Sequence, residues 1–270
     1  MCAALTVWGQ APAPPQTTPP GPQPGAVTIK TPGSSSTSDA SQQVERTPKY
    51  VRTFSAGLSL NWLGLTSIKN GSYSSTQTSP PVSTTASTTG GSERFGGGVQ
   101  VQFAFLDHYA VNVGLIYRQA SYALSMDTYE GVDIISTPQD ERKLTSVDER
   151  TRVIYYDLPV LVRYYWQRHD EKGPRWFFEG GGTMRTTRNI RTSRSTILPD
   201  GTIVADSNQA VPTNKKIYGA TTGVGAQFID PFGIRVVPEF RYTRWLGYTW
   251  NNLSTVSQRN QIEAVLSITF

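Results

Sequence analysis

The sequence predicts an all-β protein, an eight-stranded antiparallel up-and-down transmembrane β-barrel preceded by a disordered N-terminal segment. Three observations predict it. Eight segments alternate apolar and polar residues on a two-residue period. The connections between them alternate long and short. The final segment carries its apolar stripe, Ile262, Ala264, Leu266, Ile268 and Phe270, to the last residue, which a strand bordered by lipid on one face requires and a soluble strand does not.

Residues 1–11 hold a short apolar stretch ending in Gly9, Gln10 and Ala11, the small-x-small pattern of a signal-peptidase site, without a charged leading region. They read as a signal-peptide remnant whose start lies upstream. A lipidated Cys2 is disfavoured, because no lipobox precedes it. Residues 12–49 are dominated by Pro, Gln, Thr, Gly and Ser and bury too little surface to offset the entropy of ordering, so a disordered periplasmic tether is expected. Residues 50–270 form the barrel.

The strands are expected at 51–65, 94–105, 109–124, 150–166, 176–189, 216–229, 233–245 and 261–270. Each reaches the nine to eleven residues or so that a tilted strand needs to cross a bilayer. In the first, Phe54, Ala56, Leu58, Leu60 and Trp62 share a face; in the second, Val99, Val101, Phe103 and Phe105. The third gives Tyr109, Val111, Val113, Leu115 and Tyr117, and the fourth runs on alternate residues from Ile154 to Trp166. The fifth and sixth stripes are weaker, with Trp176, Phe178 and Met184, then Tyr218, Ala220, Val224, Ala226 and Phe228. The seventh is Ile234, Val236, Pro238, Phe240 and Tyr242. Aromatics gather at the stripe ends: Trp62, Tyr117, Tyr218 and Tyr242 mark one interface, and Phe105, Tyr109, Trp166, Trp176, Phe228 and Phe270 the other, as an aromatic girdle requires.

Connections 66–93, 125–149, 190–215 and 246–260 are long and are assigned to the outer side; 106–108, 167–175 and 230–232 are short and read as periplasmic turns. The first long loop, nearly all Ser, Thr, Gly and Pro, suits a mobile or shielding segment. No run of eighteen apolar residues exists, so a transmembrane helix is excluded on length. The net charge of +5 comes from scattered rather than clustered basic residues, which argues against a nucleic-acid partner, and a single cysteine forbids an internal disulfide.

The opposite strand faces collect Arg118, Asp157, Arg163, Glu179, Arg235, Glu239, Arg241 and Glu263. An eight-stranded barrel has room inside only for its own side chains. Buried charges there must pair, since an unpaired one costs far more, so a closed lumen held by a salt-bridge network is expected, with Gly114, Gly181, Gly219, Gly223 and Gly225 making room for the arginines. The alternatives are a small-solute pore, if the charges part, or a soluble lipocalin-like barrel, apolar inside and polar outside.

Catalytic chemistry finds no foothold: His108 and His169 fall in the short turns, away from the outer loops, and read as solvated turn residues. Gly219 to Gly225 lacks the Lys and Ser/Thr of a phosphate loop. Asp127, Glu130 and Asp133 lack calcium-loop spacing and read as solvated acids. No enzyme activity, cofactor or metal is expected. Arg185, Arg188, Arg191 and Arg194, with Lys215 and Lys216 across the hairpin, form a basic run at the outer rim. It reads either as an ordinary charged loop or as a contact for lipopolysaccharide phosphates, which the arginine fork suits.

The period-two layout, the terminal Phe270 and the segment Tyr155-Tyr156-Asp157-Leu158-Pro159-Val160-Leu161-Val162-Arg163-Tyr164 together resemble the small bacterial outer-membrane β-barrel domain family, with its OmpA/OmpX-like and PorT-like members. The resemblance implies a non-enzymatic integral protein of the Gram-negative outer membrane with a structural or surface-interaction role, monomeric, with both termini periplasmic. Its implied partners are outer-membrane lipid, lipopolysaccharide and, during insertion, the barrel-assembly machinery reading the C-terminal stripe. With the last strand at the C-terminus, no peptidoglycan-binding domain is expected and a wall-anchoring role is not carried over.

Overall fold

The computed structural model describes residues 54–91, 93–133, 136, 140–167, 173–252 and 254–270. The expectations for residues 1–11 and 12–49 lie outside these, as does that for His169. In chain order the strands are β1 (Phe54–Leu63), β2 (Ile68–Lys69), β3 (Gly71–Thr78), β4 (Pro81–Gly90), β5 (Phe95–Ala104), β6 (Tyr109–Glu130), β7 (Lys143–Tyr165), β8 (Arg175–Ile197), β9 (Ile203–Asp206), β10 (Lys216–Ile229), β11 (Arg235–Trp245), β12 (Val256–Ser257) and β13 (Asn260–Thr269).

Eight of them close into a ring. Antiparallel pairing runs β1, β5, β6, β7, β8, β10, β11, β13 and back to β1. Closure brings Leu58 opposite Ile268 and Leu60 opposite Leu266, and the amide of Phe270 donates to the carbonyl of Ala56 at 2.9 Å. A closed ring leaves no strand edge in the hydrocarbon, where an unpaired backbone group has no water to bond.

The apolar stripes all face outward. Leu58 is 67% exposed and Phe240 53%, while inward neighbours such as Ser59, Gln100, Asn112 and Arg241 are buried. The soluble lipocalin-like alternative is therefore overturned: polar groups fill this barrel and apolar ones cover it. Tyr156 and Trp166 lie ten residues apart on and just beyond β7. At about 3.3 Å per residue and a tilt of about 40°, that interval gives an apolar band of about 25 Å, the height of an outer-membrane hydrocarbon layer. Aromatic contacts line both margins: Tyr109 and Tyr164 sit 5.2 Å apart at one, Tyr117 and Tyr156 5.8 Å apart at the other.

Beyond the Tyr117 and Tyr156 margin the structure departs from the sequence reading. β6, β7 and β8 run on as a tall sheet through residues expected in loops. These stretches are polar on both faces (Ser125, Asp127, Thr145, Ser193), so they carry no apolar period to detect. The first long loop is likewise a hairpin, β3 and β4, with β4 paired to β6 from Gly90 opposite Tyr122 to Val82 opposite Glu130. β5 leaves β6 at Arg118, and the open edge above it is covered by the threonine-rich β4, whose β-branched residues suit a strand.

On the other flank the cover is incomplete. β10 leaves β8 at Thr186, and β9 pairs β8 only from Arg194 to Ile197. Between them β8 carries a bulge: Tyr155 faces Thr187 and Ile154 faces Arg188, but Arg152 faces Arg191. Asn189 sits in it at a φ of 47°, a left-handed value that asparagine tolerates better than most residues.

Candidate functional site in the barrel interior and at the outer rim

Two four-charge groups stack inside the ring. On adjacent strands Asp157 lies directly opposite Arg185 and Arg163 directly opposite Glu179, so the β7 and β8 hairpin supplies one ion pair to each. In the group nearer the short turns, Arg163 Nε donates to Glu179 Oε2 at 2.9 Å and Arg241 Nε to Glu179 Oε1 at 2.7 Å. Both guanidinium groups also pair with Glu239. Arg163 Nη1 donates to Gln102 at 2.8 Å, and its guanidinium lies 4.6 Å from the Phe177 ring centre.

In the outer group, Arg118 Nε donates to Asp157 at 3.0 Å and its Nη2 pairs with Glu263. Arg185 makes two bonds of 2.7 Å to Asp157 and one of 2.7 Å to Gln261. Its plane sits between the Tyr155 and Trp245 rings, at 4.6 and 4.3 Å. Each group holds two arginines and two carboxylates and is neutral, which is what a buried site of low dielectric demands.

Of the eight interior charges expected, seven fall in these groups. Arg235 lies buried at the inner end of β11, opposite Ile229 and Thr269. The eighth member is Arg185, which the sequence reading had placed at the rim as a lipopolysaccharide contact. That assignment is corrected: Arg185 is 3% exposed and held by Asp157. Its parity already carried the signal, since Trp176, Phe178 and Met184 mark the even residues of β8 as outward.

Arg194 is corrected too. The bulge at Asn189 shifts the parity, so Arg194 turns to the inner face and pairs with Glu149 at 2.6 Å. Glu149 also accepts from Tyr122 at 3.2 Å and Thr151 at 3.0 Å. Arg188, Arg191, Lys215 and Lys216 remain exposed at the rim.

The five inward glycines expected to make room for the arginines serve other neighbours, whereas Gly96 does stand against an arginine, its Cβ position 2.8 Å from Arg118 Cγ. A Cβ on Gly223 would meet Glu179 Oε1 at 2.9 Å, one on Gly225 the Phe177 ring at 2.5 Å, and one on Gly219 the Trp245 ring at 2.9 Å. Gly181 and Gly114 stand against the β7 backbone at Val160 and against Pro159.

Over the outer group, the fourth long loop folds inward. Trp250 is fully buried, donates through Nε1 to the Tyr155 hydroxyl at 3.0 Å and meets Tyr122 edge-on at 5.5 Å. β12 and β2 tie this loop to the first, and Thr255 bonds Thr88 at 3.1 Å. With Ile68, Ala120 and Val153 these residues make an apolar cap over the charges. The sequence reading missed it, because one tryptophan in a polar loop carries no period.

His108 Nδ1 donates to the Tyr165 carbonyl at 2.9 Å and the ring stacks on Tyr164, so it is half-buried and tied rather than freely solvated. Asp127 accepts from Ser146 at 2.6 Å. Among the described residues no three His, Cys, Asp or Glu side chains converge as a metal site. The C-terminal stripe, Ile262 to Phe270, lies on the outer surface of the closing strand, with Leu266, Ile268 and Phe270 the most exposed.

Compared with known proteins, residues 38–247 match the outer membrane protein beta-barrel domain. No curated protein matches the chain.

Proposed function

The chain belongs to the outer membrane protein beta-barrel domain family, and from that premise we propose that it is a non-enzymatic, monomeric outer-membrane barrel with a structural or surface-interaction role and a closed lumen. The chain enters and leaves the barrel on the periplasmic side, and the tall β6 to β8 sheet faces the cell exterior. The C-terminal stripe is the recognition element for insertion.

The observation that carries this reading is the pair of neutral charge groups beneath the Trp250 cap. A pore needs a continuous wet path, whereas these guanidinium and carboxylate groups are spent on one another across the interior. Separating them requires leaving buried charges without partners, which costs several kcal/mol for each pair, on the order of 3–5. Such a plug suits a barrel that anchors and presents its outer sheet.

The test is reconstitution of the folded protein in planar bilayers. The proposal expects no steady conductance in the native protein. Discrete, reproducible openings would replace it with the small-solute pore.

A further inference from the structure

Four arginines crowd one outward patch of the β7 and β8 ribbon just above the aromatic margin. Arg150 and Arg152 on β7 and Arg188 and Arg191 on β8 are all exposed. Arg152 stands directly opposite Arg191 in the ladder, with Arg188 opposite Ile154 and Arg150 opposite Ser193. Like charges facing each other across a strand pair are destabilising. Among the described residues none of the four has a carboxylate within ion-pair distance, and Asp148, two residues beyond Arg150 on the same face, forms no ion pair with it.

Beside the patch lies the gap in β8's cover. Arg188, Asn189, Ile190, Lys215 and Lys216 line a cavity of about 390 Å³ there. Thr187, 5% exposed, also lines it, and its hydroxyl has no hydrogen-bond partner. The cavity therefore lies next to uncompensated positive charge, and Lys215 and Lys216 add to it.

The height of the patch selects the ligand. Tyr117 and Tyr156 mark the hydrocarbon edge, and Arg188 and Arg152 lie two and four residues further along their strands. At about 3.3 Å per residue and a tilt of about 40°, that is about 5–10 Å above the edge, within the headgroup layer. We propose that Arg150, Arg152, Arg188 and Arg191, with the Thr187 cavity beside them, bind the phosphate groups of a phosphorylated glycolipid headgroup in the surrounding leaflet. Each guanidinium presents a planar fork to phosphate oxygens, and a phosphate seated between Arg152 and Arg191 turns their repulsion into attraction. The residues differ from the basic run read in the sequence: Arg185 and Arg194 leave it, and Arg150 and Arg152 enter.

The inference rests on the membrane placement above, but its test does not depend on which end faces outward, because the vesicles carry the same lipid in both leaflets. The folded barrel is placed in phosphatidylcholine vesicles with or without bisphosphorylated lipid A, and thermal unfolding is followed by the heat-dependent gel shift. Native protein should gain about 5 °C or more with the phosphorylated glycolipid. The double variant Arg152→Ser with Arg191→Ser should lose most of that gain, yet match or exceed the native midpoint in phosphatidylcholine alone, where only repulsion has been removed. The variant Arg150→Ser with Arg188→Ser, which leaves the facing pair in place, should keep part of the gain and serves if the first fails to fold.

Two further arms fix the source. Lipid A stripped of phosphate and millimolar inorganic phosphate should each give the native protein no gain. The proposal is overturned if the gain survives in both variants, if dephosphorylated lipid A gives it equally, or if free phosphate reproduces it without the lipid.

Discussion

Replacing Arg163 with methionine removes the guanidinium from the inner charge group while keeping most of the side-chain stem. Arg163 is wholly buried and its charge is shared among Glu179, Glu239 and Gln102. Without it, two carboxylates face one arginine, Arg241, in a site without water-accessible surface. Removing one partner of a buried pair costs about 3–5 kcal/mol, and the lost contact with Phe177 adds to this. Arg163→Met should therefore lower barrel stability by about 4 kcal/mol.

Glu239→Gln alone should cost a comparable amount, because it leaves the positive charge in excess. The double variant restores neutrality, with Arg241 still paired to Glu179, so its cost should fall short of the sum by about 2 kcal/mol or more. Urea titration of the barrel in lipid vesicles, read by tryptophan fluorescence and the cold-gel band, supplies all three numbers. Strict additivity, or a cost under about 1 kcal/mol for Arg163→Met, would refute a dry coupled network, since solvated surface pairs contribute about that little.

The remaining predictions address other parts of the molecule. Trp250→Ala should release the cap, exposing residues 246–260 to proteolysis while the barrel band survives, because Trp250 packs on the ring's upper end rather than within it; joint loss of both would place Trp250 in the barrel's own stability. Gly223→Ala should lower the urea midpoint by about 1–3 kcal/mol of stability, since its new methyl meets the Glu179 carboxylate and the Phe240 carbonyl, both at 2.9 Å. Gly180→Ala, with nothing within 4 Å, should be neutral or slightly stabilising, and equal effects at the two sites would remove the packing argument. In the second long loop, hydrogen bonding from Arg142 holds the Asp140 carboxyl at about 2. A depressed carboxylate lends its order to the loop above the ordinary aspartate range and loses it as pH falls through about 2. An NMR titration should show that midpoint, returning toward the ordinary value of about 3.9 in Arg142→Gln.

The barrel was legible because lipid imposes a period on the sequence. Most outward stripes from Phe54 to Phe270 stay apolar through the hydrocarbon, those of β8 and β10 more weakly, and parity then places Asp157, Arg163, Glu179 and Arg241 on the inner face. Legibility ended where lipid ended. Above Tyr117 and Tyr156 the outward faces of β6 to β8 meet water and the lipid-imposed stripe ends, so strands at 125–130 and 190–197 look like loops. Parity is a better guide than a local run: Arg185 belongs by sequence to a basic run, but its even-numbered neighbours face lipid and so place it inside. The bulge at Asn189 was not readable, and it decides that Arg191 points out and Arg194 in. Arg150 and Arg152 were missed as rim residues because their partners, Arg188 and Arg191, are distant in sequence and adjacent only through the β7 and β8 register.

The central claim is that the alternate faces of these strands meet lipid and a packed polar interior. Single cysteines at Leu58, Ser59, Phe240, Arg241, Leu266 and Ser267, in a background with Cys2 replaced by serine, carry a fluorescent probe in vesicles containing brominated lipid. The account predicts quenching at Leu58, Phe240 and Leu266 and none at their neighbours, a two-residue alternation. Quenching at Ser59 and Ser267 with none at Leu58 and Leu266, or quenching without alternation, would contradict it.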